Sequence, residues 1–351
     1  MKPIKKLSWI INNECNLSCV HCYPSSGIES KVPLSDNEFE ALFNSLNSVR
    51  FNRIFLSGGE PLLDKQFFKY LDIAKKIGDE VFLCSNGTLL SNEMLERLST
   101  AGVDGIVISL QSLSNEKSIE IYRHPKVDEI ILNLLTRVKK FNFSLGIEMT
   151  ILKQNYQIIE NLINVASSYG VKSFSFKRLM KIGRGGINDV GLTPEENFKV
   201  LNKIFAIQLA NKDLKINVHD PLYGTIVFDY YQKLPNTGNE EKLINGYACK
   251  AGTRWIGIDP SGNVSPCPLL LYQDTIIGNV FERSLANILE GSALIRQLQE
   301  VHTMKESKCK YQASCLGCRV ASLAQTKDLF SHDPMCIHED CTCPISSGRN
   351  G

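Results

Sequence analysis

The chain has 351 residues, 43% apolar and 22% charged, and its 39 basic against 37 acidic side chains leave a formal charge of +2. That balance excludes the basic stripe that phosphate backbones demand, so no nucleic-acid partner is expected. The absence of any run of about eighteen apolar residues leaves no segment for a membrane span.

This length and an ordinary globular composition predict one large domain with a smaller companion. The basic start, "MKPIKKLSWIINNEC", has too short an apolar run for a signal peptide and reads as a strand. A cytoplasmic protein with reduced thiols is therefore expected, in which twelve clustered cysteines point to metal rather than to disulfides.

From the N-terminus to about residue 205 a strand–loop–helix rhythm repeats. Apolar, β-branched runs that suit buried parallel strands lie at Leu7–Asn12 and begin again at Arg53, Val81, Gly105, Ser144 and Lys172. Ser35 with Glu38 is a capping box ahead of the helix "FEALFNSL". Ser91 opens "NEMLERLSTAG", which stops on Gly102. Thr193, Pro194 and Glu196 start a helix to about Ala210. Six β/α units in succession predict right-handed crossovers and a parallel sheet curved into part of a barrel, with chemistry at the C-terminal ends of its strands.

Residues 211–245 lose the rhythm and read as a tyrosine-rich bridging segment. Residues 246–343 hold eight of the twelve cysteines as a second domain, and 344–351 read as a disordered tail.

The first cysteines, Cys15, Cys19 and Cys22, are spaced C-x3-C-x2-C directly after the first strand. A closed structural zinc site takes four ligands, and disulfides take an even number. A zinc reading would recruit His21, whose adjacency to Cys22 makes it awkward for both to reach one ion. Three thiolates on a four-iron cubane leave one iron open to an outside ligand.

With His21 before its last cysteine, this motif resembles the signature of radical S-adenosylmethionine (SAM) enzymes. "SGGEP", with Gly58, Gly59, Glu60 and Pro61 after the second strand, resembles that family's GGEP turn, whose backbone and glutamate meet the amino group of SAM. The resemblance places Ser85, Asn86, Ser109 and Leu179 where relatives contact SAM, and makes Arg123 the partner of its carboxylate. Gln111 departs from the family, which usually has aspartate there.

"CKAGTRWIGIDPSGNVSPC", from Cys249 to Cys267 around Gly262, resembles the opening of the SPASM domain, a module carrying auxiliary iron–sulfur clusters. Its "DPSGNV" turn predicts a hairpin that presents both thiols from one side; two buried hairpin cysteines are the bland alternative. Further on, Cys309, Cys315 and Cys318 follow the family spacing with one residue fewer before the last, and Glu306 stands where a first cysteine is usual. The resemblance assigns Cys249, Cys267 and Cys318 to one auxiliary cluster. It assigns Cys309, Cys315 and Cys336 to another, completed by Glu306, Cys341 or Cys343. One auxiliary 4Fe–4S cluster with spare thiols is the alternative. Cys84 reads as a small core residue that would donate a hydrogen atom only if it pointed into the barrel mouth. Glu148 and Arg178, near the ends of strands five and six, are candidate catalytic groups or else a structural barrel pair.

The resemblance spans residues 7 to 343. It implies an α/β fold, a partial (β/α)6 TIM-like barrel followed by a small Cys-rich α+β SPASM domain. It also implies an oxidoreductase chemistry in which a reduced 4Fe–4S cluster cleaves SAM to a 5′-deoxyadenosyl radical that abstracts a hydrogen atom. Family members act mostly on ribosomally made peptides by crosslinking, epimerisation or side-chain oxidation, and a peptide is the substrate expected here. With the motif starting at Cys15, a leader-binding module has no room, so a separate leader-recognition protein or direct binding in the barrel is expected. Flavodoxin or ferredoxin is the expected electron donor. The alternatives are a small-molecule dehydrogenase or decarboxylase acting on an aminocyclitol or haem precursor, and a non-enzymatic iron–sulfur redox protein.

Overall fold

The computed structural model describes residues 4–27, 32–233, 246–272, 275–301 and 309–338. Seven parallel strands, β1 (Lys6–Ile10), β2 (Phe51–Ser57), β3 (Gly78–Ser85), β4 (Gly105–Ser109), β5 (Ser144–Ile151), β6 (Ser173–Arg178) and β7 (Lys215–His219), lie side by side in chain order. Three more, β8 (Trp255–Ile258), β9 (Asn263–Ser265) and β10 (Gly278–Asn279), join the free edge of β1, giving the order β10-β9-β8-β1-β2-β3-β4-β5-β6-β7. The first strand is thus an inner one: Leu7 registers with Ile54 on one side and with Ile256 on the other, both in parallel.

The crossovers carry helices α1 (Asp36–Leu46), α2 (Phe67–Ile77), α3 (Asn92–Thr100), α4 (Asn115–Tyr122), α5 (Val127–Val138), α6 (Ile159–Ser168), α7 (Arg184–Ile187) and α8 (Pro194–Ala210). Local chemistry starts them where expected. Ser35 and Glu38 cap α1 reciprocally, Thr193 and Glu196 do the same for α8 behind Pro194, and Ser91 caps α3. Each such cap contributes about 1 kcal/mol.

Strands β2, β3 and β6, and the second half of β5, alternate in burial. Leu56, Leu83, Ile147, Met149 and Phe176 point outward under the helices and are at most 1% exposed. Each such side chain contributes about 1.5–3 kcal/mol on burial. Their neighbours Phe55, Phe82, Cys84, Glu148 and Lys177 point to the inner face and are half-buried. The curved sheet therefore has a sealed outside and an open lumen.

Two features differ from the sequence-based expectation. The stretch read as a bridge supplies β7, which pairs with β6 from Ser173↔Lys215 to Lys177↔His219, and a ninth helix, α9 (Tyr223–Tyr231). Residues 234–245 of that stretch, and the tail 344–351, lie outside the described residues. The C-terminal hairpin forms as expected at Asp259–Gly262, but β8 also extends the main sheet. Trp255 of β8 donates Nε1–H to Ser8 at 2.9 Å and meets His219 of β7 edge-on at 5.8 Å, so the two ends of the sheet face each other across the lumen.

Candidate functional site

The loop after β1 carries Cys15, Cys19 and Cys22 to the C-terminal mouth of the sheet, and its shape is set mainly by backbone bonds. Cys15 N–H donates to Gly27 O at 2.7 Å, Ser18 N–H to Tyr122 O at 3.3 Å and Val20 N–H to Ile121 O at 2.9 Å. The last two lay the loop against the end of α4, beside Arg123, an exposed residue in the left-handed conformation (φ 58°). From the far side Arg184 clasps the loop. Its Nε donates to Cys19 O at 2.9 Å, its Nη1 to Ser26 O at 2.7 Å and its backbone N–H to Cys22 O at 3.0 Å. Asn188 adds a bond to Val20 O at 3.0 Å. Sequence reasoning missed this clasp, although "GRGG" was a signal: a Cβ on Gly183 would lie 2.2 Å from Tyr23 O, so only glycine lets the two backbones meet.

The glycine pair after β2 has the same cause. A Cβ on Gly58 would fall 2.1 Å from Asn12 Oδ1, and one on Gly59 would fall 2.2 Å from Glu14 O. The turn is stitched to the cysteine loop by Gly59 N–H to Asn12 O (3.0 Å), Glu60 N–H to Glu14 O (2.7 Å) and Asn12 Nδ2–H to Glu60 O (3.0 Å).

Glu60 is anchored within the protein. Its side chain is 0% exposed and accepts from Ser85 Oγ at 3.0 Å and from Asn86 N–H at 2.8 Å, which ties the turn to the end of β3. Burial pushes its carboxyl up to about 7, against the pull of those hydrogen bonds. Ser85 and Asn86 are correspondingly buried, and Asn86 Nδ2 bonds Asn16 Oδ1 at 2.9 Å and points to Cys15 Sγ at 3.9 Å. Pro61 begins the short 3-10 turn behind Glu60.

Ser109 ends β4 half-exposed, accepting from Gln111 Nε2 at 3.2 Å. Gln111 itself is buried and accepts from Thr150 N–H at 2.8 Å, which ties β4 to β5. Leu179 packs with Val20, Ile121, Leu152 and Val190 under the loop.

The three thiols sense one another. Burial raises Cys15 and Cys19, and the neighbouring thiols raise them further. Burial lowers His21 to about 4, with Arg184 and Lys177 adding to the effect, and its buried Nδ1 has no partner among the described residues. Among those residues no three His, Cys, Asp or Glu side chains converge to hold a single metal ion. A cubane does not require convergence, because each thiolate takes a different iron. Three thiols on one loop, an orphaned imidazole nitrogen and glycine-lined backbone at the mouth fit a cluster with an exchangeable ligand beside it.

The described C-terminal cysteines divide into two groups. Cys249, Cys267 and Cys318 lie in or against one apolar cluster with Met180 and Ile182. There burial raises Cys267, with Cys249 and Cys318 adding to the rise, and raises Cys318 to about 12, with Cys249 adding to it. Cys309, Cys315 and Cys336 belong to the main core, where Gly317 N–H donates to Cys315 Sγ at 3.3 Å. Glu306, Cys341 and Cys343 lie outside the described residues.

Glu148 and Arg178 do not pair with each other. Arg178 is buried between Asp220 after β7 (3.3 Å) and Asp333 (2.8 Å), and the same Asp333 oxygen accepts the N–H of Cys318 at 2.7 Å. It therefore ties the barrel to a cysteine of the C-terminal module and is withdrawn from the lumen. Burial works against its charge, and the two carboxylates hold the guanidinium above its usual range. Glu148 instead pairs with Lys177 at 2.7 Å inside the lumen. Cys84 also faces inward, with Glu148 and Lys177 among the charges that act on it, and burial pushes its thiol up to about 12. No helix among the described residues is long and apolar enough to cross a membrane.

Comparison with known proteins agrees with this arrangement. Residues 9–166 match the radical SAM superfamily, and residues 249–319 match the SPASM iron–sulfur cluster-binding domain. Relatives include the AdoMet-dependent heme synthase of Methanosarcina barkeri, 28% identical over 95% of this chain and 96% of that protein. Mycofactocin maturase MftC of Mycobacterium tuberculosis is 25% identical over 94% of this chain and 82% of that protein. The solved structure of Streptococcus suis SuiB bound to S-adenosylmethionine shares the fold, with a TM-score of 0.75 and 18% identity over 96% of this chain and 78% of that one. Both domains imply 4Fe–4S clusters, and the first implies SAM. With its three-thiol loop at the mouth of a parallel half-barrel and its grouped C-terminal cysteines, the chain is a radical SAM enzyme with a C-terminal SPASM domain.

Proposed function

We propose that the protein abstracts a hydrogen atom from a ribosomally made peptide held in the barrel lumen. The observation that carries this reading is the lumen itself, an open, half-exposed cavity lined by Lys177, Glu148 and Cys84, with the cysteine loop at its mouth. The mycofactocin maturase relatives support a peptide substrate. When bound, the cluster and SAM supply a 5′-deoxyadenosyl radical as the hydrogen-atom acceptor.

In this reading Cys15, Cys19 and Cys22 hold the cluster. The backbone of Gly58 and Gly59, with Ser109 and Arg123, receives SAM. Glu60 acts from behind, by fixing Ser85 and Asn86. Cys249, Cys267 and Cys318 hold one auxiliary cluster, and Cys309, Cys315 and Cys336 hold a second with one of Glu306, Cys341 or Cys343. Flavodoxin or ferredoxin delivers electrons in the cytoplasm, and a separate protein can present the leader.

The second reading, a haem precursor as substrate, is favoured by the heme synthase relatives. Anaerobically reconstituted protein with a reductant and SAM tests both. A fall in precursor-peptide mass or a new crosslink, with 5′-deoxyadenosine release above the substrate-free rate, supports the first reading. The same response to iron coproporphyrin III and not to peptide replaces it with the second. No 5′-deoxyadenosine under any condition overturns the enzyme reading.

A further inference from the structure

The lumen is layered. Its floor is a run of three rings contributed by three strands. Phe55 lies 5.5 Å from both Phe82 and Trp255, at 27° to each, and His219 meets Trp255 edge-on. Cations flank the run: the Arg53 guanidinium lies 5.6 Å from the Phe82 ring, and Lys6 Nζ lies 5.3 Å from the Trp255 ring. Above the floor, nearer the mouth, stand Cys84 and the Lys177–Glu148 pair. Lys177 Nζ lies 2.7 Å from Glu148 Oε2, and its charge also acts on His21, Cys84 and His219.

Two facts argue against a purely structural pair. The side chains remain 40% and 21% exposed, so an anion entering the lumen can reach the ammonium. In addition, the inward charges do not cancel. Arg53 is matched by Glu80 and Lys177 by Glu148, but Lys6 has no ion pair among the described residues. The lumen is a cavity with a small excess of positive charge over a partly exposed aromatic floor, which suits an acid bearing an apolar or ring-containing body.

We propose that Lys177 is the carboxylate receptor of the lumen: a substrate carboxylate takes the place of Glu148 on its ammonium, while the Phe82–Phe55–Trp255 layer receives the adjoining apolar part. This orients which C–H bond faces the cysteine loop. The proposal rests on the reading of the lumen as the reaction chamber. The carboxylate belongs either to a peptide or to a haem precursor, and the chemistry recognised is the same.

Calorimetric titration of the anaerobically reconstituted protein with benzoate and with benzamide tests it. The acid is expected to bind at least tenfold more tightly than the amide. Lys177→Gln brings the two within twofold, Lys177→Arg restores the preference, and Glu148→Gln strengthens benzoate several-fold by removing the internal competitor. Equal binding of acid and amide, no benzoate binding, or a preference that survives Lys177→Gln overturns the proposal. The same comparison between a free-acid and an amidated peptide, and between iron coproporphyrin III and its methyl ester, identifies the source of the acid. A Lys177-dependent preference in neither pair also overturns the receptor. Substrate-free 5′-deoxyadenosine formation on the same sample separates the two ideas. Cleavage without acid preference removes only the receptor, and preference without cleavage removes only the radical chemistry.

Discussion

The two cysteine regions are built on opposite principles. In the N-terminal loop the thiols sit at an open mouth, and their positions are set by main-chain bonds to Gly27, Tyr122 and Ile121 and by the Arg184 clasp. In the C-terminal module Cys309, Cys315 and Cys318 are buried side chains within apolar clusters, Cys249, Cys267 and Cys336 are half-buried against them, and Cys318 is fixed by a carboxylate already engaged with Arg178. A site that must exchange a ligand cannot be sealed by apolar packing, so its geometry has to come from polar scaffolding. A site that only holds a cluster can be part of the core.

The comparison is broken most severely by replacing Cys15, Cys19 and Cys22 together with alanine. Iron per chain is expected to fall by about four, one cubane, with 5′-deoxyadenosine formation abolished and the C-terminal iron retained. Loss of all iron would show that the regions are not independent. Next in size, Arg178→Met leaves Asp220 and Asp333 buried without their cation. A destabilisation of about 3–5 kcal/mol in chemical denaturation is expected, together with reduced iron in the C-terminal set alone.

Glu60 comes third. Its carboxyl titrates near 7 in the folded protein and near the ordinary carboxylate value once unfolded, so the native state binds the extra proton. Glu60's own contribution to the stability of the cluster-free protein is therefore fully present below about 4.5 and is lost as pH rises through about 7, by about 3 kcal/mol. Glu60→Gln should flatten denaturation midpoints across that window, and an unchanged slope would assign the titration elsewhere.

Gly59→Ala drives a methyl into Glu14 O and should displace the turn enough to weaken SAM binding or turnover by about 100-fold. The smallest effect is expected from Arg184→Gln, which weakens the clasp by about 1–3 kcal/mol. It should appear as faster loss of the N-terminal cluster on dilution, with the C-terminal iron unaffected.

These expectations also mark what a sequence can disclose. The cysteine loop, the glycine pair and the capped helices were legible because each depends on residues within a few positions of one another, as Ser35 and Glu38 do. Arg178 stood out as polar at a strand end, but its true partners were hidden. Asp333 lies 155 residues further along, and nothing local distinguishes it from a surface aspartate. Strand β7 escaped because "KINVH" offers only two outward apolar residues, Ile216 and Val218, too few for a period to register. Glu60 was legible as a motif, but its bonds to Ser85 and Asn86, 25 and 26 residues further along, were not.

The central place of β1 has a consequence for how the protein is made. Four of its residues must wait for partners near residue 255, the last of them supplied after more than two-thirds of the chain has left the ribosome. Until then Leu7 and its neighbours form an exposed, apolar strand edge, the kind of template on which chains aggregate. Completion of the sheet is a long-range and therefore slow closure. A fragment ending before β8 would carry every residue of the cysteine loop, yet leave that edge open. Expression of the barrel by itself should therefore yield insoluble protein unless residues 246–272 accompany it.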